Sequence, residues 1–492
     1  MFAILELCKL LAWKAYFLTV TLVFELYNYF IHRECVTSVQ IVQAYIERIN
    51  EVNGLINAVV NKNFEEALAK AQKCDDAMEN VDANSAEMDA VTVKDSIEYA
   101  GLNVTSGLPA RRNFICTETA TVLQKVCGSG AILLALTNVP EMCMAMETWN
   151  SIYGFSRNPY DSRRTPGGSS GGEGALLASA GSVIGIGSDM GGSIRIPALY
   201  NGVFGLKTTQ GLINTDRHVP IGLLAGGLRK ELFVFGPLCR YACDLPLMLR
   251  AMSPDAYTKL KVDEPMELEG LRIYYSTLID GSEKETVDWE IKKRLFDVVR
   301  FLESDVGTRA ERVHFPEFEN AFVLVLAAMH ADELPPLAQW ITAGTGKINV
   351  AAELLKVAFG NSEHSLGLLL GILVEKYPPF DGHGREKLRE QLRVLRSKVH
   401  DLLANNAILV FPGFNTPAQF HNRSLFTLFN SVYTGVWNGM GTPVVAVPLG
   451  LNRNGVPVGC QVIGAPNSER LLVSVAQTLE KKFGGWIPPG CN

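Results

Sequence analysis

A chain of 492 residues is long enough for one large domain or several ordinary ones. Apolar residues at 47% and charged residues at 20% supply a sizeable core, and a net charge of −6 without a basic tract argues against a nucleic-acid footprint. The ten scattered cysteines contain no C-x-x-C pair and the eight histidines no H-E-x-x-H run, so neither a disulfide framework nor a metal site is predicted, and Cys143 and Cys460 read as small core residues.

In chain order the first element is apolar. From Met1 to Trp13 only Glu6 and Lys9 interrupt it, and Ala15–Phe24 reads AYFLTVTLVF. A membrane-spanning helix needs about 20 mainly apolar residues, a length that the window Leu10–Ile31 reaches. Lys14 and Glu25 sit where charged side chains can snorkel, and Trp13, Tyr27, Tyr29 and Phe30 suit the interfacial belts. No small-x-small cleavage site follows, so residues 1–33 predict a single-pass membrane anchor rather than a cleaved leader. Which side of the membrane the rest of the chain faces is left open, since the sequons at Asn103 and Asn422 are too common by chance to decide it.

Thr37 or Ser38 then caps a helix whose apolar face includes Val42, Tyr45, Ile46 and Ile49. A second helix is predicted over Phe64–Ala77 and a loop over Asp82–Ala90. Buried strands are predicted at Ala131–Thr137, Val183–Ile186, Leu271–Tyr275, Ile408–Phe411 and Val444–Val447. Ala175–Ala180 reads as a small apolar helix, and Lys284–Leu302 and Ser468–Phe483 as amphipathic helices. Leu354–Tyr377 contains a leucine-rich run, Leu366–Val374, too short to span a bilayer. It reads as a buried core helix or as an apolar cap resting on a membrane. The alternation predicts an α/β fold with a mixed central sheet covered by helices.

The chemistry sits in a glycine-crowded stretch. Pro166-Gly167-Gly168-Ser169-Ser170-Gly171-Gly172 is followed by Ser188-Asp189-Met190-Gly191-Gly192-Ser193-Ile194-Arg195, and Lys94 lies upstream after Val91 and Val93. A serine hydroxyl is a weak nucleophile until a base takes its proton. A lysine serves as that base once burial lowers its pKa. Ser193, directly after two glycines, is the natural nucleophile. The backbone N–H groups of Met190, Gly191, Gly192 and Ser193 are the candidate oxyanion hole, and Ser169 the candidate relay to Lys94. This chemistry needs no cofactor and no metal. A flexible linker would not be enclosed between a helix and a buried strand, and the lysine-serine ending of a phosphate loop is absent.

The run from Pro166 to Pro197 resembles the signature segment of the amidase signature family of serine hydrolases, and the wider chain, from about Val36 to Pro488, is similar to its fatty-acid amide hydrolase 2-like branch. Supporting runs are Thr137-Asn138-Val139-Pro140-Glu141, Gly205-Leu206-Lys207-Thr208-Thr209 and Gly455-Val456-Pro457-Val458-Gly459. The resemblance implies one amidase-signature catalytic domain over 34–492, preceded by the apolar N-terminal helix. It implies Ser193 as the acyl-forming nucleophile, Ser169 as a bridging serine preceded by a cis peptide, and Lys94 as the base. It also implies a small-molecule lipid amide as substrate, a membrane-associated protein and a homodimer. Two departures stand out. The family carries a glycine-x-proline element ahead of the lysine strand, where this chain has Glu87-Met88-Asp89-Ala90-Val91, and it begins with a fuller helix before Thr37.

Three other readings compete with this one. Gly167-Gly168-Ser169-Ser170-Gly171 matches the G-x-S-x-G elbow of an α/β-hydrolase-type esterase, with Ser169 as nucleophile and His383 or His421 as base. The altered approach to Lys94 suits an inactive, membrane-associated binding protein. A role in an amidotransferase, acting on glutamine beside partner chains, is disfavoured by the apolar N-terminus.

Overall fold

A computed structural model describes residues 36–78, 90–220, 227–264, 266–279, 285–330, 335–342, 344 and 348–491. The predicted N-terminal anchor, most of the loop predicted over Asp82–Ala90 and residues Glu87–Asp89 of the altered approach to Lys94 lie outside the described residues. Among the described residues no helix is long and apolar enough to cross a membrane.

The strands are β1 (Val59–Lys62), β2 (Ala90–Lys94), β3 (Ile132–Thr137), β4 (Trp149–Asn150), β5 (Gly154–Phe155), β6 (Ile184–Asp189) and β7 (Phe204–Lys207). They continue as β8 (Val234–Cys239), β9 (Arg272–Tyr275), β10 (Glu311–Arg312), β11 (Ala407–Pro412), β12 (Val444–Leu451) and β13 (Pro457–Gly464). All but β4 and β5 join one mixed sheet in the order β1-β3-β2-β6-β8-β7-β12-β13-β11-β9-β10. β2 runs parallel to both β3 and β6, with Lys94 opposite Thr137 and Val93 opposite Ile186. Every residue of β2, β3 and β6 is buried, as expected for parallel strands covered on both faces. Ala90 and Val91, the described end of the altered approach, pair with Ile132 and Leu133 of β3, and the register shifts between Val91 and Thr92. The carboxyl ends of β2 and β6 therefore open side by side, where ligands of open α/β sheets gather.

Helices cover the sheet much as their periodicity predicts. Ser38–Ile56 begins at a capping box: Gln40 N–H donates to Thr37 Oγ1 at 3.2 Å, and Thr37 N–H donates to Gln40 Oε1 at 2.9 Å. Its Val42, Tyr45, Ile46 and Ile49 are buried, each worth roughly 1.5–3 kcal/mol when fully removed from water. Phe64–Met78 and Glu469–Phe483 form as expected. The helix predicted from Lys284 starts instead at Trp289, because Asp288 caps it by accepting from Glu290 N–H. Leu354–Tyr377 is not one helix but parts of two, Val350–Ala358 and Leu366–Lys376, each starting at its own cap, Asn349 and Ser365. In the second helix Leu368, Leu369 and Ile372 face inward, while Leu370 and Val374 are exposed.

Candidate active site

Lys94 ends β2 with its amine fully buried. Two hydroxyls hold it, with Nζ 2.5 Å from Ser169 Oγ and 2.8 Å from Ser188 Oγ, and the Cys143 thiol is a further neighbour that interacts with the amine. Burial disfavours the ammonium and pulls Lys94 below the usual lysine range, while Cys143, Asp189 and Glu173 nearby push the other way. Glu173, on the helix Gly171–Ala178, is itself pushed up to about 8 by burial, although Thr137 and Thr92 donate to its oxygens at 2.7 Å each. A buried amine held by neutral hydroxyls is the arrangement a lysine base requires.

Ser169 sits just before the helix Gly171–Ala178, and the Gly168–Ser169 peptide is cis. Gly168 has no room for a side chain: a Cβ there would stand 2.4 Å from the Ala145 carbonyl oxygen. Ser170 N–H donates to the Ser193 carbonyl at 3.0 Å, which ties the first serine pair to the second signature run. Ser193 is half-buried in the turn joining β6 to the helix Arg195–Asn201, with Met190, Gly191 and Gly192 ahead of it.

That turn is moulded on a buried carboxylate. Asp189 accepts from Gly192 N–H at 2.8 Å, Ile194 N–H at 3.1 Å, Arg195 at 3.0 and 3.1 Å, and Asn438 at 2.9 Å. Burial would raise the Asp189 pKa, but the Arg195 charge and these donors outweigh it and hold the group well below the carboxylate range. Arg195 also donates to the Thr434 carbonyl, Gln461 Oε1 and Asn438 Oδ1. Thr434 Oγ1 donates to the Gly191 carbonyl at 2.6 Å. Gly192 takes φ +121°, and a Cβ there would lie 2.1 Å from Thr434 Oγ1, so glycine is required. Because Gly192 N–H is turned to Asp189, the four-donor oxyanion reading narrows to Met190, Gly191 and Ser193.

The structure thus joins Lys94 to Ser169 and sets the Ser193 turn beside them. Sequence reasoning missed Ser188, the second hydroxyl on the amine. Strand alternation gave no signal for it: Val93 lies opposite Ile186, so the pattern puts Ser188 on the Val91 and Val93 face and Lys94 on the other. It also took Cys143 for a small core residue. Cys143 is only partly buried, takes φ +58°, lies 3.5 Å from Ser106 Oγ and faces Lys94. The elbow reading is not favoured: the Ser169 hydroxyl pairs with Lys94, His421 Nδ1 is bonded to Glu147 Oε1 at 2.7 Å, and His383 is exposed in the first turn of the helix Gly382–Leu403.

The fold and this site define a serine-type amidase, and the family comparison agrees. The Amidase family model matches residues 40–473, and the chain belongs to the amidase signature family. It is a hydrolase of carbon–nitrogen bonds other than peptide bonds. Human fatty-acid amide hydrolase 2 is 37% identical over 474 residues, covering 94% of this chain and 88% of that protein. Fatty-acid amide hydrolase 2-B of Danio rerio is 36% identical over 474 residues, covering 94% of this chain and 89% of that protein. A solved fatty acid amide hydrolase shares the fold, with a TM-score of 0.71 at 20% identity, covering 91% of this chain and 83% of that one.

Proposed function

We propose that the protein hydrolyses fatty-acid amides through a Ser193–Ser169–Lys94 relay. The observation that carries this reading is the Lys94 amine, fully buried and bonded to Ser169 and Ser188. Neutral Lys94 takes a proton from Ser169, Ser169 takes one from Ser193, and Ser193 Oγ attacks the amide carbonyl. The backbone N–H groups of Met190, Gly191 and Ser193 stabilise the oxyanion. Ser169 returns a proton to the leaving amine as the carbon–nitrogen bond breaks. Water then cleaves the acyl-serine by the same relay in reverse. Activity rises with pH as Lys94 loses its proton, whereas a rate controlled by a histidine would turn near pH ~6.5.

The substrate class rests on the 37%-identical fatty-acid amide hydrolase 2. A membrane-borne lipid amide also suits an anchor in residues 1–33 ahead of a catalytic domain over 34–492, and exposed apolar side chains on the folded part.

Fluorophosphonate labelling read by intact mass tests the relay. One adduct is expected on the wild type, absent in Ser193→Ala and much slower in Lys94→Ala. No adduct on a folded wild type would favour an inactive binding protein, and an adduct surviving Ser193→Ala would return the nucleophile to Ser169. A panel of fatty-acid amides of varied chain length then tests the substrate.

A further inference from the structure

Lys94 has a second hydroxyl partner, and the other neighbour of that hydroxyl is a histidine. Ser188 Oγ lies 2.8 Å from Lys94 Nζ and 3.2 Å from His218 Nε2, so Ser169, Lys94, Ser188 and His218 form one continuous chain of polar contacts. His218 stands outside both signature runs. An antiparallel bridge to Ile97 brings it in, shortly after β2 ends. Its ring is buried against Phe233 and Phe235, with centroids 4.7 and 6.1 Å away. Burial holds His218 well below the usual histidine range, helped by the Lys94 charge whenever the amine is protonated, so the ring stays neutral. Facing the amine itself are Cys143, Asp189 and Glu173.

We propose that His218 is a positioning residue which, acting through Ser188, keeps the lone pair of neutral Lys94 turned toward Ser169. A neutral amine carries two N–H bonds and one lone pair. To act as base, that lone pair must receive the Ser169 O–H, and one N–H then goes to Ser188 Oγ. The Ser188 proton needs an acceptor in turn, and His218 Nε2 supplies it. If Nε2 carried the hydrogen, it would donate to Ser188 Oγ. The Ser188 O–H would then turn to the Lys94 lone pair, the one place the Ser169 proton has to go. His218 Nδ1 is buried and makes no hydrogen bond with the described protein, so the Ser188 side sets the tautomer. When Lys94 is protonated during attack, the ammonium donates to both serines and the Ser188–His218 bond keeps its direction. No proton passes to His218.

The inference rests on the relay reading above, and full-length variants separate the two. His218→Phe removes the acceptor and keeps an aromatic ring among phenylalanines. His218→Gln restores an acceptor. His218→Phe is expected to lower kcat and the fluorophosphonate labelling rate about tenfold, with KM within twofold. It also moves the pH midpoint downward, because Ser188 is then free to donate to the neutral amine and stabilise it. His218→Gln recovers most of the rate, and in a Ser188→Ala background His218→Phe adds nothing. A folded His218→Phe with unchanged kcat and midpoint overturns the proposal, as does an equal loss in the Ser188→Ala background. Should His218→Phe not fold, nitrogen-15 NMR of histidine-labelled wild type decides, with the His218 signal assigned by its loss in His218→Gln. A hydrogen-free Nε2 is expected, and an Nε2–H overturns the proposal. Failure of the relay itself shows elsewhere, as a wild type that takes no label or a label that survives Ser193→Ala.

Discussion

Two regions of the molecule solve opposite problems. Around Lys94 and Asp189, charged and polar side chains are buried at the ends of β2 and β6 and paired to one another. Across the helices Val350–Ala358 and Leu366–Lys376 and the 3-10 helix Ser424–Ser431, large apolar side chains stand in solvent, with Phe359 80% and Phe426 84% exposed. The first arrangement costs desolvation and returns fixed geometry. The second leaves apolar area uncovered on the folded surface. Two carboxylates join them at either end of the segment 141–147. Glu141 accepts from His364 Nδ1 at 2.6 Å and Ser365 N–H at 2.8 Å, and Glu147 accepts from His421 Nδ1 at 2.7 Å and Asn422 N–H at 2.9 Å.

The largest effect is expected where a buried charge loses its partner. Arg195→Met leaves Asp189 fully buried without its cation and is expected to cost about 3–5 kcal/mol in denaturant unfolding, since an uncompensated buried charge is far worse than none. The pH dependence sharpens the test. In the wild type the folded Asp189 pKa is depressed, so its contribution is present above the unfolded value of 3.8 and is lost as pH falls through the lower folded value. In Arg195→Met only the Gly192, Ile194 and Asn438 donors and the Lys207 charge oppose burial, so the depression is weakened, protonation relieves the site and the deficit should shrink from pH 7 to pH 4. A deficit that stays constant would assign Arg195 a packing role instead. Next in size is Gly192→Ala, which drives a Cβ into Thr434 Oγ1 and shifts the Ser193 turn. A loss of about 10²–10³ in kcat is expected, the scale of a misplaced oxyanion donor. Adding Thr434→Ala should not rescue it, because the Cβ of residue 434 would still stand 2.5 Å from the new Cβ and φ +121° strains any side chain at position 192.

The same division explains what the sequence disclosed. Lys94, Ser169 and Ser193 were legible because glycine-serine runs are rare and local, and the strand Ile132–Thr137 because an unbroken apolar run has few other uses, whereas of Ile184–Asp189 the pattern disclosed only the start, within Val183–Ile186. The partners of the signature loop were not. Thr434, Asn438 and Gln461 lie more than 200 residues from Asp189 or Arg195 and carry no local mark of their role. His218 reaches Ser188 only through a bridge to Ile97. β7, β8 and β13 escaped notice because glycine and proline interrupt them, as at Gly205, Pro237 and Gly459, and neighbouring strands rather than propensity hold them in the sheet. Leu366–Val374 shows the limit of composition. Its composition reads as a buried core helix or as an apolar cap, and the helix that contains it buries Leu368, Leu369 and Ile372 while exposing Leu370 and Val374.

A smaller, pH-dependent effect is expected at the junction. Burial would lower the His364 pKa, but its hydrogen bond to Glu141 and the nearby charges of Glu141, Glu353 and Glu363 outweigh that and raise it. A raised histidine gives its full contribution below the unfolded value of 6.5 and loses it as pH rises through the folded value. His364→Gln should therefore loosen the start of the helix Leu366–Lys376 by roughly 1 kcal/mol at pH 6, about fivefold in amide protection, and much less at pH 9. Hydrogen exchange over residues 364–370 reads this directly. Equal loss at both pH values would mean that the imidazole packs there without being charged.

The smallest effect on stability, and the most telling for the exposed region, belongs to Phe359→Ser with Phe426→Ser. Charging Leu369 would not test that region, because Leu369 is fully buried and a charge there would unfold the helix around it. Both phenylalanines already stand in water, so the pair should alter unfolding free energy by no more than about 0.5 kcal/mol per site. If these side chains rest on a bilayer, transferring them into its interface is worth roughly 1 kcal/mol or more each. The double variant should then raise KM several-fold for a lipid amide carried in phosphatidylcholine vesicles. It should leave kcat and KM for a soluble aryl amide unchanged, because neither side chain belongs to the Lys94–Ser169–Ser193 machinery. An equal rise for both substrates would place the phenylalanines on the path to the active site, and no rise for either would leave the exposed region without a part in reaching membrane-borne substrate.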